Sequence, residues 1–152
     1  MPIKQTDTTK QRLKTLDPDF EDLIIRLINH CHERGINVQV AQAYRSNEEQ
    51  QVLYDIGRTK PGKTVTNAKP GTSFHNYAAA VDLFFLKESG EAYWDVKAFK
   101  KVWAIAQEIG LDKEGLVWGG NFKSMVDYPH FQLGNSLEEA KKRFEKRRGK
   151  TA

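Results

Sequence analysis

Cysteine is nearly absent from this chain. Cys31 is the single one among 152 residues, so no internal disulfide can brace the fold, and its place on the apolar stripe of a candidate helix reads as core. Long hydrophobic runs are missing too. No stretch approaches the roughly 20 apolar residues that a membrane-spanning helix needs, so no membrane span is expected. Met1 to Leu16 is polar and holds no apolar signal core, which predicts synthesis in a cytoplasm without an export signal of its own. Internal repeats and long linkers are lacking as well, which leaves a single domain over residues 1–152.

What is present is an ordinary soluble composition, 39% hydrophobic and 29% charged. The formal charge of +4 is uneven. Residues 141–150 hold seven Lys or Arg and one Glu, so the remaining residues sum to −2. The basic character belongs to a C-terminal tail, 136–152, which reads either as a solvated helix face or as a contact for an anionic surface. No nucleic-acid partner is expected, and the chain is expected to act as a monomer.

Periodicity supplies a scaffold. Asp17-Pro18 is a helix start and Gly35 its stop, with Phe20, Leu23, Ile24, Leu27, Ile28 and Cys31 forming one apolar face. Ile36 to Ala43 alternates as a half-buried strand that delivers Tyr44-Arg45 at its end. Ser46-x-x-Glu49 is a capping box that opens a short helix ended by Gly57. From Arg58 to Thr72 the chain has little apolar content and several Gly and Pro residues, which predicts an irregular loop. Ala80 to Leu86 is an apolar run of strand length, and Phe84 to Tyr93 reads as strand and turn. Asp95 caps a helix whose apolar face is Val96, Phe99, Val102, Trp103, Ala106 and Ile109, closed by Gly110. A last helix starts at Ser136 and has only Leu137, Ala140 and Phe144 to bury. The fold class expected is α+β, a small and mainly antiparallel sheet with helices packed around it.

Three residues stand out as metal ligands. His75 leaves a polar loop, while Asp82, seven positions on, sits inside the apolar strand run, where a carboxylate needs an ion pair, hydrogen bonds or a cation. In Asp127-Tyr128-Pro129-His130, Pro129 favours an extended entry to a strand on which His130 and Gln132 share one face. Two imidazoles and one carboxylate are the donor set of a catalytic zinc site, which keeps a fourth position for water. Asp127 lies close to a ligand without being one, as a general base should. His30 and His32 read instead as surface histidines of the first helix.

Ser73-x-His75, Asp82 and Asp127-x-x-His130 resemble the zinc peptidases of the lysostaphin, D-alanyl-D-alanine peptidase and hedgehog-like group. Within it, Tyr44-Arg45-Ser46-x-x-Glu49-Gln50, Gly57 to Gly62, Thr66 to Lys69, His75-Asn76-Tyr77 and Asp127 to Phe131 look like the L-alanyl-D-glutamate endopeptidases of tailed-phage endolysins and related bacterial wall enzymes. The resemblance runs from about Ala41 to Leu133. It implies one zinc per chain held by His75, Asp82 and His130, with Asp127 as base and Arg45 supporting the charge that develops on the cut amide. Peptidoglycan is the partner so implied, with delivery from the cytoplasm to the wall assisted by a holin. The family usually has Gly where this chain has Ala78, a substitution costing about 1 kcal/mol if the position needs positive φ.

Substrate contacts are open at this level. Ser73 either meets substrate or caps its loop, Tyr77 and Trp118 either contact substrate or belong to the core or cleft wall, and Lys69 joins Arg58 and Lys60 as a loop cation able to receive the free α-carboxylate of D-Glu. The cut expected is between L-Ala and D-Glu of the stem peptide. The alternatives are a D-alanyl-D-alanine carboxypeptidase and a non-catalytic, zinc-containing wall-binding protein.

Overall fold

Residues 3–149 are described in a computed structural model. Helix α1 (Asp7–Leu13) comes first, followed by α2 (Pro18–Glu33), strand β1 (Val38–Gln42) and α3 (Asn47–Asp55). Strand β2 (Ala80–Leu86) follows a long loop, then a short β3 (Ala92–Tyr93), α4 (Val96–Glu108), β4 (Leu116–Trp118), β5 (His130–Leu133) and α5 (Leu137–Arg147). The sheet order is β1-β2-β5-β4 with every neighbour antiparallel, and β3 pairs with β2 at Phe85 and Leu86. This is the α+β arrangement expected from the sequence.

The two faces of the sheet have different tasks. Side chains alternate along a strand, so Val81, Leu83 and Phe85 of β2 point to one face and are fully buried. They join Phe20, Ile24, Leu27 and Ile28 of α2, Phe99 and Val102 of α4, and Phe131 of β5 in one core. Burial of each such side chain contributes about 1.5–3 kcal/mol. Asp82, Phe84 and Leu86 point to the other face, which the two large helices leave free. A site on that face stands on a rigid floor.

The periodicity did not reveal α1, β4 or the 3₁₀ turn Phe74–Tyr77. α1 contributes little apolar surface beyond Leu13, and its main task is to close the outer edge of β1. The hydroxyl of Thr9 accepts from Val40 N–H at 3.0 Å, and Arg12 Nη1 donates to the Val40 carbonyl at 2.9 Å. Both backbone groups of an edge-strand residue are thereby satisfied.

The last helix is also more than a solvated face. Arg143 and Arg147 both bond the carboxylate of Asp17, which is 1% exposed, at 2.6–2.9 Å. Phe144 stacks on Tyr44 and meets Tyr77 edge-on, each at 5.8 Å. Residues 150–152 of the basic tail lie outside the described residues.

Candidate metal centre

The ligand triad is assembled by two neighbouring strands and one turn. β2 and β5 pair Asp82 directly with His130, so both side chains leave the same face of the sheet. His75 reaches them from the 3₁₀ turn Phe74–Tyr77, which Ser73 and Asn76 hold in a reciprocal capping box. The turn ends at Ala78 with φ 58° and ψ 30°, the left-handed region. Ala stands there at the cost expected from the sequence, because its carbonyl accepts from Asp17 N–H at 2.9 Å and the residue is only 2% exposed.

Around the triad, each imidazole has one nitrogen fixed and the other aimed inward. His75 Nδ1 lies 2.8 Å from the Ala43 carbonyl, which makes Nδ1 the donor and leaves Nε2 toward Asp82. His130 Nε2 meets Gln132 Oε1 at 2.7 Å, and the Gln132 amide is oriented in turn by donating to the Gly134 carbonyl at 2.7 Å. That leaves His130 Nδ1 for the centre. Such partners fix the tautomer of metal-ligating histidines.

His75 Nε2 and His130 Nδ1 lie 3.4 and 3.6 Å from Asp82 Oδ1, and that oxygen is buried without a hydrogen-bond partner among the described residues. Donors bonded to one tetrahedral zinc at about 2.0–2.2 Å stand close to 3.4 Å apart. The three residues therefore fit a zinc ion, and the orphaned carboxylate oxygen is where a cation belongs. Burial pushes the Asp82 carboxyl up, but the adjoining His130 and His75 rings outweigh it and hold the group well below the usual carboxylate range. His130 shows the reverse. Burial disfavours its charge, yet Asp82 beside it leaves the ring above its ordinary value.

Two more groups line the cleft of about 450 Å³ that opens over these ligands. Asp127 Oδ2 is 4.0 Å from His130 Nδ1, and its side chain is 53% exposed. Burial and the charge of Asp82 raise its pKa, against the pull of His130, His75 and Arg45. Gly119 sets its position: a Cβ there would collide with the Asp127 carbonyl, and Asp127 N–H donates to the Gly119 carbonyl at 3.0 Å. Arg45 enters from the other wall. Its backbone N–H donates to the His75 carbonyl at 2.9 Å and its Nη1 to Gln50 Oε1 at 2.9 Å, while buried Gln50 donates to the Ala68 carbonyl at 2.8 Å.

Ser73 lines the cleft and also caps the turn, accepting from His75 N–H at 3.2 Å. Tyr77 lies off the cleft wall, with its hydroxyl donating to the Gly71 carbonyl at 2.6 Å. Trp118 is in the core at 4% exposure, its indole donating to the Tyr128 carbonyl. Lys69 is exposed outside the cleft. Arg58 is engaged by the loop itself, bonding the carbonyls of Tyr54 and Thr66 and stacking on the Tyr54 ring at 3.8 Å. Arg58, Lys60 and Lys69 lie outside the lining of this cleft, and Arg45 is the one Lys or Arg on its wall among the described residues. Gln50 and Gln132 support the site; the sequence marks the first as the end of the Tyr44–Gln50 motif and the second as sharing a strand face with His130, but gives neither a role.

Residues 66–133, which include the triad and Asp127, match a family model described as D-alanyl-D-alanine carboxypeptidase. Over 105 residues the chain is 39% identical to the peptidoglycan L-alanyl-D-glutamate endopeptidase CwlK of Bacillus subtilis, covering 66% of this chain and 62% of that relative. Among solved structures, the Serratia marcescens L-Ala D-Glu endopeptidase ChiX superposes with a TM-score of 0.66 at 19% identity, covering 91% of this chain and 94% of ChiX. The fold is that of these wall peptidases. A D,D-pentapeptidase VanY in complex with Zn(II) also superposes, with a TM-score of 0.53 at 17% identity over 83% of this chain and 76% of VanY. The chain thus spans somewhat less than two thirds of the curated relative's length.

Proposed function

We propose that this protein is a zinc metallopeptidase that hydrolyses the L-Ala–D-Glu bond of the peptidoglycan stem peptide. The observation that carries the reading is the convergence of His75, Asp82 and His130 around a buried carboxylate oxygen that has no hydrogen-bond partner among the described residues, with a separate carboxylate and a guanidinium on the same cleft. The similarity to CwlK and ChiX supports the choice of bond.

A zinc ion held by the triad supplies Lewis acidity and lowers the pKa of water to roughly 7. This chain's own residues do the rest. Asp127, exposed on one side and raised by burial, accepts the proton of the water that attacks the amide and returns it to the leaving nitrogen. Arg45 carries a guanidinium fixed by Gln50 and lies on the cleft wall, where it supports the developing oxyanion. Ser73 presents its hydroxyl to the same space. A spare base argues against the non-catalytic alternative, since a structural zinc has no use for one.

Lysis in the manner of a phage endolysin, with holin-assisted delivery from the cytoplasm, is the finer part of this proposal and rests on the resemblance of the motifs. Mass spectrometry of digested peptidoglycan tests the bond. The expected products carry a new amino-terminal D-Glu and leave L-Ala on the glycan. Release of terminal D-Ala alone gives the carboxypeptidase its place, the activity that the matching family description names.

A further inference from the structure

The cut just proposed fixes where the glycan must lie. In a wall stem peptide, L-Ala is joined through its nitrogen to the lactyl ether of an N-acetylated sugar. One residue and one lactyl group therefore separate the scissile carbonyl from the ring, about 7 Å at extended residue lengths. Two residues of strand cover the same distance, and two residues beyond Asp82 on the ligand-bearing face of β2 is Phe84.

Phe84 is half-buried and carries a second ring, Trp94, with centroids 6.0 Å apart and planes 32° apart. Tyr93 pairs with Phe85 and packs on the core, so alternation sends the next side chain, Trp94, to the opposite face. Phe85 already has Val38 of β1 as its partner on one side. β3 therefore adjoins β2 on the edge that β5 uses nearer Asp82, and Trp94 follows His130 along that edge. Its exposure of 59% contrasts with 4% for Trp118. Beyond this shelf Lys87 pairs with Glu91 at 3.6 Å, and the carboxylate of Asp95, the residue after Trp94, caps α4 by accepting from Lys97 N–H. The guanidinium and polar groups of the site, Arg45, Thr66 and Ser73, line the cleft instead.

We propose that Phe84 and Trp94 form a saccharide platform, on which the N-acetylated sugar bearing the stem peptide stacks while its L-Ala–D-Glu bond lies at the metal centre. A pyranose ring presents a face of C–H groups and no charge, which suits an exposed indole, whereas the carboxylates of the peptide suit the side with Arg45. The proposal rests on the L-Ala–D-Glu assignment. A carboxypeptidase removing terminal D-Ala would hold the sugar four residues from its cut, more than about 13 Å away.

Two measurements on the full chain test it. Trp94→Ala and Trp94→Phe are compared with the parent on a free L-Ala-γ-D-Glu-L-Lys peptide and on the same peptide bearing a GlcNAc–MurNAc disaccharide. Trp94→Ala is expected to lower kcat/KM on the disaccharide-bearing substrate about tenfold, the size of one lost aromatic contact. Trp94→Phe should restore most of that loss, with the free peptide cut at the parent rate by both. In parallel, the indole N–H resonance of Trp94, assigned by its absence in Trp94→Ala, is followed in the zinc-loaded Asp127→Asn protein titrated with peptide-free GlcNAc–MurNAc. It is expected to shift while those of Trp103 and Trp118 stay in place. Equal losses on both substrates, or none on the disaccharide-bearing one, overturn the platform. If the parent cuts neither substrate between L-Ala and D-Glu, the bond assignment fails by itself and the titration decides alone. A shift of Trp94 then upholds saccharide binding, and its absence removes it.

Discussion

Asp82 shows why a carboxylate in an apolar run is informative. Its neighbours on β2 are buried hydrocarbon, and an ionised group there persists only with compensation. The sequence displayed that tension, and His75 and His130, the imidazoles that it marks on either side of Asp82, are the groups that meet Asp82 in the fold. It did not display Gln132 as the residue fixing His130, because an amide two positions along a strand is as often packing as support. Gln132→Ala frees the outer nitrogen of His130, and loss of such a partner costs about 10- to 100-fold in metal affinity. Chelator competition should read a drop of that size, with the ligand variants His75→Ala, Asp82→Ala and His130→Ala falling further. Asp127→Asn separates chemistry from binding. It should keep a full equivalent of zinc by elemental analysis and lose about 10²- to 10⁴-fold in kcat; a parent rate in this variant means that another group carries the proton.

Elements were legible in proportion to how much apolar surface they bury. α2, α4 and β2 each present a full face to the core, and their periodicity was plain. α1 and the 3₁₀ turn at His75 are held by side chains that meet across long separations, Thr9 and Arg12 on Val40 or Arg147 on the Tyr77 carbonyl, and nothing local announces such bonds. Asp17 ties several of them together: it caps α2, receives Arg143 and Arg147 from α5, and holds the Ala78 carbonyl through its backbone. Burial pushes its carboxyl up, but the hydrogen bond from Arg143 and the charges of Arg147 and Arg143 prevail and leave it below its ordinary value. A depressed carboxylate stabilises the fold fully above its unfolded pKa, about 3.9, and that contribution disappears as pH falls through the lower folded value. Asp17→Asn should therefore be less stable than the parent at pH 7, because Arg143 and Arg147 lose their shared anion. The two should converge in acid. Urea midpoints measured from pH 7 down to pH 2 check both the gap and its closure, and a gap that widens in acid contradicts the ion-pair account.

At the scale of the molecule, the sequence located the excess positive charge correctly in the tail but did not show that it divides into two sets. Removing the helix from about Lys141 onward would leave soluble-peptide hydrolysis intact only if the tail were a solvated appendage, and the structure speaks against that. Arg143, Phe144 and Arg147 hold Asp17 and the turn that carries His75. Truncation there should lower activity on every substrate and lower the melting temperature with it. Lys141, Lys142 and Lys146 are exposed on the same helix, so their charge is available to an anionic wall. Changing these three to Gln should leave stability within about 0.5 kcal/mol, as surface substitutions usually do, and leave soluble-peptide hydrolysis at the parent rate. Action on intact, anionic walls should fall, most at low salt, because the Debye length shortens from about 30 Å at 0.01 M to 8 Å at 0.15 M and screening removes the parent's advantage. Turbidity assays of intact walls across that salt range, run beside a soluble-peptide assay, separate the two sets. A triple variant that clears walls as fast as the parent at low salt leaves α5 with its structural task alone.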